Sequence, residues 1–515
     1  MSADRNDSPE IGFTSTQPGS TSEATFADLE MPDLTLRGLM SHFGPGVILM
    51  MTGIGTSHLV TAPTAGGRFG YALLWCLPVA YIFKYYGFEM AFRFTNATGK
   101  SMIEAYSTAW KKWPLWYVMI TTLIQCAVGQ AGRLIAAAAV AYWVGSEVIG
   151  LPFTLPQYGL GLALVAVAII LRGRYQAVEI AAKGLAAILV ISTLAVFIAE
   201  PSPISAMASF FIFEVPAPAV GDNGSWLIIA AFLGLLPTGI DVSLQASEWG
   251  KAKKKGMSKI RERLEIMGLA TPFDPFTPRK TDLAVDTSVL PQNASDYCRR
   301  WFKIGTWDFR QGYIVSFVLA VIFVLLAAVR IYPSELQGRG VMGDIVRIFT
   351  ANLSGPMAVV FMLGAFAATF STAFNYFDGW PRIVGACSRN LFRGTARLTG
   401  IDVESLPPEH RSTWYSEYNI YRATMFYSLV ASVAIIWGLP RPVFLVLVAS
   451  ALAAFVAPVI FFLNFWYCLT VIPKDDKAFY PSAFARGFGW TSLAVFTGLT
   501  GISIYWTIWV RYFAG

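Results

Sequence analysis

The chain has 515 residues, 55% of them hydrophobic and 14% charged, with a net charge of +7 and a mean hydropathy of +0.53. Soluble domains carry about a quarter charged residues, so the composition excludes an ordinary soluble domain and predicts an all-α integral membrane protein. Five cysteines (Cys76, Cys126, Cys298, Cys387, Cys468) show no paired spacing, and read as packing residues rather than disulfides or metal ligands.

Residues 1–36 are polar and acidic and lack the apolar core of a signal peptide; they are expected to form a disordered cytosolic tail. A membrane span needs ~20 apolar residues. Eleven candidates follow, near 44–64, 69–93, 113–143, 155–172, 183–203, 225–249, 311–332, 354–379, 420–438, 442–472 and 487–511. Basic residues cluster in alternate loops: Arg93 to Lys112 after the second span, Arg172 to Lys183 after the fourth, KAKKKGMSKIRER after the sixth and Arg382 to Arg397 after the eighth. The loops after the third and fifth spans carry none. The positive-inside rule then predicts an inner-membrane protein with a cytoplasmic N-terminus and a C-terminus outside. The loop after the seventh span, with Arg330, Arg339 and Arg347, is placed outside against its charge.

The predicted organisation is a first repeat plus the sixth helix over 37–250, a basic cytosolic insertion over 251–310, and helices seven to eleven over 311–515. The insertion reads either as an amphipathic helix on the anionic leaflet or as a solvated loop that fixes topology. Aromatic residues do not interleave with its basic ones, so no nucleic-acid partner is expected.

Two spans are interrupted. The first contains GIGTSH (Gly53–His58), and the sixth contains LLPTGID (Leu235–Asp241), where Pro237 and Gly239 bracket Thr238. Unwound backbone is tolerated in a membrane only where it lines a cavity or is buried in protein. Spans one and six occupy corresponding positions if the chain is two inverted five-helix repeats plus one helix, and matched breaks point to a transporter's midplane site.

These stretches carry a resemblance. GPGVILMMTGIGTSHLVTAPTAGGRFGYALLW (Gly44–Trp75), ATGKSMIEAY (Ala97–Tyr106) and LLPTGIDVSLQASEW (Leu235–Trp249) resemble, in turn, the first two helices, the segment after the second helix and the sixth helix of the natural resistance-associated macrophage protein (Nramp) family, with the likeness fading beyond about residue 310. The resemblance implies the leucine-transporter fold and proton-linked divalent metal uptake. It also exposes departures: Gly55 stands where the family has a metal-binding aspartate, His58 where it has an asparagine, Leu236 where it has a methionine and Thr238 where it has a histidine.

The candidate substrate site therefore comprises Gly55, Thr56, Ser57, His58, Leu236, Pro237, Thr238, Gly239 and Asp241, with His58 and Asp241 as possible metal ligands. An imidazole titrates near pH ~6.5, so His58 is a candidate proton carrier, alone or paired with Asp241; the competing role for Asp241 is capping the restart of the sixth helix. Arg133 and Glu248 complete the coupling or gating candidates. The family passes protons through acidic residues of the third span; QCAVGQAGRLIAAAAV (Gln125–Val140) has none, and Arg133 puts a fixed cation there. That cation suits an anionic substrate or a structural pair with Asp241. Gly53, Gly55 and Gly239 leave volume for a hydrated ion or an organic solute, unless they serve close helix packing. Lys84 is assigned no binding role, Glu89–Arg93 reads as a helix-face ion pair, and Asp378–Arg382 as an inner gate or helix-end pair.

The expected function is secondary active transport of a divalent metal, possible proton coupling included, with a small organic solute or carboxylate as the alternative because the metal-binding Asp and Met are replaced. Hydrolase, nucleotide-binding and zinc-protease motifs are absent. No enzyme activity and no cofactor are expected; the partners are the substrate and the lipid bilayer, and the chain is expected to act as a monomer.

Overall fold

A computed structural model describes residues 26–41, 55–172, 189–199, 201–216, 224–333, 355–398 and 413–509. Among these residues every regular element is helical. A π turn over Ser57–Thr61 runs into Ala62–Phe69 (α1). There follow Cys76–Thr98 (α2), Trp110–Ser146 (α3), Leu155–Leu171 (α4), Leu189–Ala199 (α5), Ser225–Leu235 (α6), Val242–Ala252 (α7) and Met257–Ile266 (α8). The chain closes with Gln292–Arg330 (α9), Gly355–Leu391 (α10), Glu417–Gly438 (α11), Pro442–Val471 (α12) and Ala483–Ile504 (α13). Described helices fall within the stretches expected from hydropathy, with the first span described only from Gly55 onward and the fifth only over 189–199; Gly53 lies outside the described residues.

The buried centre is built from α1 against α9, α6 against α12, and α10 against α3 and α11. Lipid cannot drive apolar faces together, so these helices meet through small residues that bring backbones close. Gly234 of α6 is one such contact: a Cβ there would collide with the Ser450 carbonyl of α12. On α11 and α13, by contrast, Phe426, Val430, Trp437, Phe484 and Trp490 are exposed, as lipid-facing surfaces require.

Two boundaries differ from expectation. The tail is not disordered to residue 36: Phe26 and Leu29 are buried, and Asp28 receives both guanidinium nitrogens of Arg263 at 2.7 Å. An aromatic and an aliphatic side chain within a polar stretch are enough to dock it on the insertion. The insertion itself is folded and ends at Pro291, because α9 begins at Gln292 and runs on into the seventh span. Arg261 is buried within it and donates to the carbonyls of Thr98, Thr271, Asp282 and Leu283. One guanidinium thus ties α8 to the end of α2 and to the loop that follows α8.

Candidate functional site

The sixth span breaks where its sequence says it should. A residue before proline is pushed out of the α region, and Leu236 has φ −98° and ψ 122°. Helical pairing ends at Leu235 and resumes at Val242. Leu236, Thr238 and Ile240 are all buried, so the carbonyls released by the break need partners inside the protein.

Their partner is Lys84. Its ammonium, fully buried on α2, donates to the carbonyls of Gly234 at 2.9 Å, Leu236 at 2.9 Å and Thr238 at 2.7 Å. Three N–H donors meet three carbonyls, which is the whole donor capacity of a lysine. Spacing within α2 gave no sign of this, because the carbonyls lie 150 to 154 residues away in sequence. The expected Glu89–Arg93 pair does form, with Arg93 Nε 2.9 Å from the carboxylate.

The first break is built differently. Among the described residues it is a π turn rather than unwound chain, and π turns re-aim side chains by slipping the helix register. Ser57 Oγ lies 3.0 Å from His58 Nδ1, and His58 Nε2 lies 2.8 Å from the Ser316 carbonyl of α9, which makes Nε2 the protonated nitrogen. Tyr81 Oη is 3.3 Å from the same nitrogen. His58 therefore faces α2 and α9, whereas the Asp241 carboxylate accepts from Trp380 Nε1 of α10 at 3.0 Å. The two groups expected as a pair have separate partners. Asp241 occupies the cap position of α7 but makes no capping bond with its side chain.

The glycines are filled rather than spacious. A Cβ on Gly55 would collide with Thr372 Oγ1 and lie 2.6 Å from the Ala368 carbonyl, both on α10, and one on Gly239 would collide with Asp241 Oδ1. Gly55 packs closely against α10. Among the described residues no group of three or more His, Cys, Asp or Glu side chains comes together to hold a metal.

Beneath the break lies a second buried cation. Arg133 of α3 is 1% exposed; its guanidinium lies 3.8 Å from the Tyr376 ring centroid and 4.7 Å from that of Trp380, and Nη1 donates to the Gly129 carbonyl at 2.8 Å. Tyr376 Oη is 2.9 Å from Thr238 Oγ1, which joins this cluster to the broken segment. Trp380 thus stands between Arg133, on its face, and Asp241, at its N–H. Gln125 lies in the same cluster within another π turn, Gln125–Gly129.

Around the C-terminal end of α7 the charges are matched. Glu248 of α7 accepts from Arg389 at 3.4 Å, and Arg389 reaches Glu417 at 2.7 Å. Lys251 pairs with Glu104 at 2.8 Å. Arg382 donates to Asp378 at 2.7 Å, which also accepts from Tyr421 at 2.6 Å. Burial raises the Glu104 carboxyl, but Lys251, Lys100 and Arg389 outweigh it and hold it at about 2.

The sequence signature of the natural resistance-associated macrophage protein-like family matches residues 46–506. The chain belongs to this family. The match continues far past residue 310, where the resemblance by eye fades. The chain is 22% identical to the uncharacterized Pasteurella multocida protein PM0681 over 380 residues, covering 70% of this chain and 75% of that one. It is 26% identical to the divalent metal cation transporter MntH of Bacillus subtilis over 205 residues, 38% of this chain and 45% of that one. A crystal structure of a manganese transporter variant from Eremococcus coleocola superposes with a TM-score of 0.62 at 14% identity, over 94% of this chain and 91% of that one. That likeness is one of fold, and it gives this Nramp-like chain the leucine-transporter fold of an integral membrane protein.

Proposed function

We propose that this chain is a secondary transporter that moves a metal ion by alternating access around the two helix breaks. The observation that carries the reading is the carbonyl triad of Gly234, Leu236 and Thr238, which holds the Lys84 ammonium at 2.7–2.9 Å. A backbone that coordinates one cation with three oxygens is a frame that can coordinate another. Family membership and the manganese and divalent-metal transporters it resembles support a metal as that cation. The N-terminus faces the cytosol in this reading, and the ion-paired end formed by Glu104, Lys251, Glu248, Arg389 and Glu417 is the inner gate.

The ligand set alters how the metal travels. With Gly55 packed on α10 and no carboxylate on the first break, a hard divalent ion finds few anionic oxygens. Two buried cations, Lys84 and Arg133, add repulsion that low dielectric magnifies. The ion therefore moves hydrated or already bound to an anionic ligand, and Lys84 must leave the triad before any cation takes its place. Coupling to protons runs through this displacement. Mn²⁺ uptake into proteoliposomes of the purified protein, with and without a pH gradient, tests the reading. Concentrative uptake supports it, and protein-free leak rates overturn it.

A second reading, a carboxylate-bearing organic solute, is favoured by Arg133 itself, because a fixed guanidinium in a membrane core suits an anion.

A further inference from the structure

Three buried side chains beside the helix break have hydrogen-bonding capacity that the described structure does not use. Arg133 Nε and Nη2, and both amide atoms of Gln125 and of Gln245, have no hydrogen-bond partner among the described residues. All three side chains are at least nine-tenths buried. Arg133 and Gln125 meet beside one indole, and Gln245 packs on the residue before it. Arg133 lies over the Trp380 ring. A Cβ on Gly129 would sit 2.7 Å from Trp380 and 3.0 Å from Arg133 Nη1, and would collide with Gln125 Oε1. Gln245 presses against Gly379, the residue before Trp380.

The stacking on Tyr376 and Trp380 fixes the plane of the guanidinium and leaves its Nε–Nη2 edge unused. That edge presents two parallel N–H donors, the geometry that receives a carboxylate through two hydrogen bonds. The two glutamines each offer a further N–H donor and an oxygen for a neighbouring hydroxyl. A buried cation with idle donors is costly until a counter-charge arrives. Asp241 does not supply it, since its carboxylate is held by Trp380 and makes no ion pair with Arg133 among the described residues.

We propose that Arg133, with Gln125 and Gln245, binds a carboxylate group of the substrate. The carboxylate belongs either to a small organic acid or to such an acid already bound to a metal; both present the same two oxygens to the guanidinium. The inference rests on the transporter reading of the central site and extends it to the anionic half of the cargo.

The test is calorimetric titration of the full chain in nanodiscs with citrate, with Mn²⁺ and with Mn²⁺–citrate, for wild type, Arg133→Lys and Gln125→Ala. The expected result is citrate binding in wild type that weakens at least tenfold in Arg133→Lys, which keeps the charge but loses the fork, and severalfold in Gln125→Ala. Equal binding of citrate with and without metal identifies the organic acid, and binding only with metal identifies the complex; both support the site. No heat from either citrate sample overturns it, as does wild-type citrate affinity in both variants. Mn²⁺ uptake that persists while both citrate samples are silent overturns this inference and leaves the transport proposal standing. Citrate binding without Mn²⁺ transport in any form does the reverse.

Discussion

The molecule treats buried charge in two ways. Around the C-terminal end of α7 every acid described above has a basic partner: Glu104 with Lys251, Glu248 and Glu417 with Arg389, Asp378 with Arg382. Beside the sixth-span break two buried cations, Lys84 and Arg133, rely instead on backbone carbonyls and aromatic rings, while the Asp241 carboxylate is held by Trp380. Ion pairs that satisfy each other hold a door shut. Cations that are satisfied by neutral groups keep their charge available to something that arrives. The difference fits the proposed function, with closure at one end and recognition at the centre.

Lys84→Met attacks the centre hardest. It leaves three buried carbonyls without their donor, and such groups cost about 1–3 kcal/mol each when unsatisfied. A stability loss of roughly 3–5 kcal/mol and abolished uptake are expected, read from thermal melting and Mn²⁺ flux. Wild-type melting would show that the triad does not depend on the ammonium. Asp241→Asn keeps an acceptor for Trp380 but removes the negative charge beside the sixth-span break. Uptake should fall more than tenfold with the fold intact, and His58→Ala, which strips a neutral contact to α9, should cost flux less. The reverse ranking would move the centre of charge handling from the sixth span to the first.

The ion-paired end is sharpened by pH. Glu104 is held at about 2 against an ordinary 4.5. A carboxyl lowered on folding contributes stability fully above the ordinary value and loses it as pH falls toward the lowered one. For Glu104 that contribution is on the order of 3 kcal/mol at neutral pH, fading between pH 4.5 and about 2. Glu104→Gln should therefore melt earlier than wild type at pH 7, with the gap closing across that window; a gap independent of pH would detach the effect from this charge. The smallest effect belongs to Asp28→Asn. The Asp28–Arg263 pair is exposed, and exposed pairs contribute little. Unchanged melting and uptake are expected, and a clear loss would make the docked tail part of the inner gate.

Much of this architecture is legible in the residues. Hydropathy locates the spans, and Pro237 with Gly239 announces the second break, since proline and the residue before it act on local backbone. The resemblance in Gly44–Trp75 leads to the family. What local spacing does not carry is contact between distant segments. Lys84 reads as one more charge on α2, and Gln245 as one more polar residue on α7, until the fold sets them beside Leu236 and Trp380. Gly55 was legible as small but not as filled, because Thr372 of α10 occupies the space that an aspartate side chain needs. The buried Phe26 escaped for a similar reason: one aromatic residue in a polar stretch has no periodicity to betray it.

The length of α9 has a mechanical consequence. An unbroken helix of 39 residues rises about 1.5 Å per residue, so it reaches roughly 58 Å, well beyond the hydrocarbon layer of about 30 Å. Its contact with His58 is at Ser316, roughly 36 Å along the axis from its N-terminal end. One unbroken helix thus joins the first break to the insertion and the docked tail. A tilt of about 5° about that contact would displace the N-terminal tip by roughly 3 Å, so a small adjustment around one imidazole would reach the insertion enlarged.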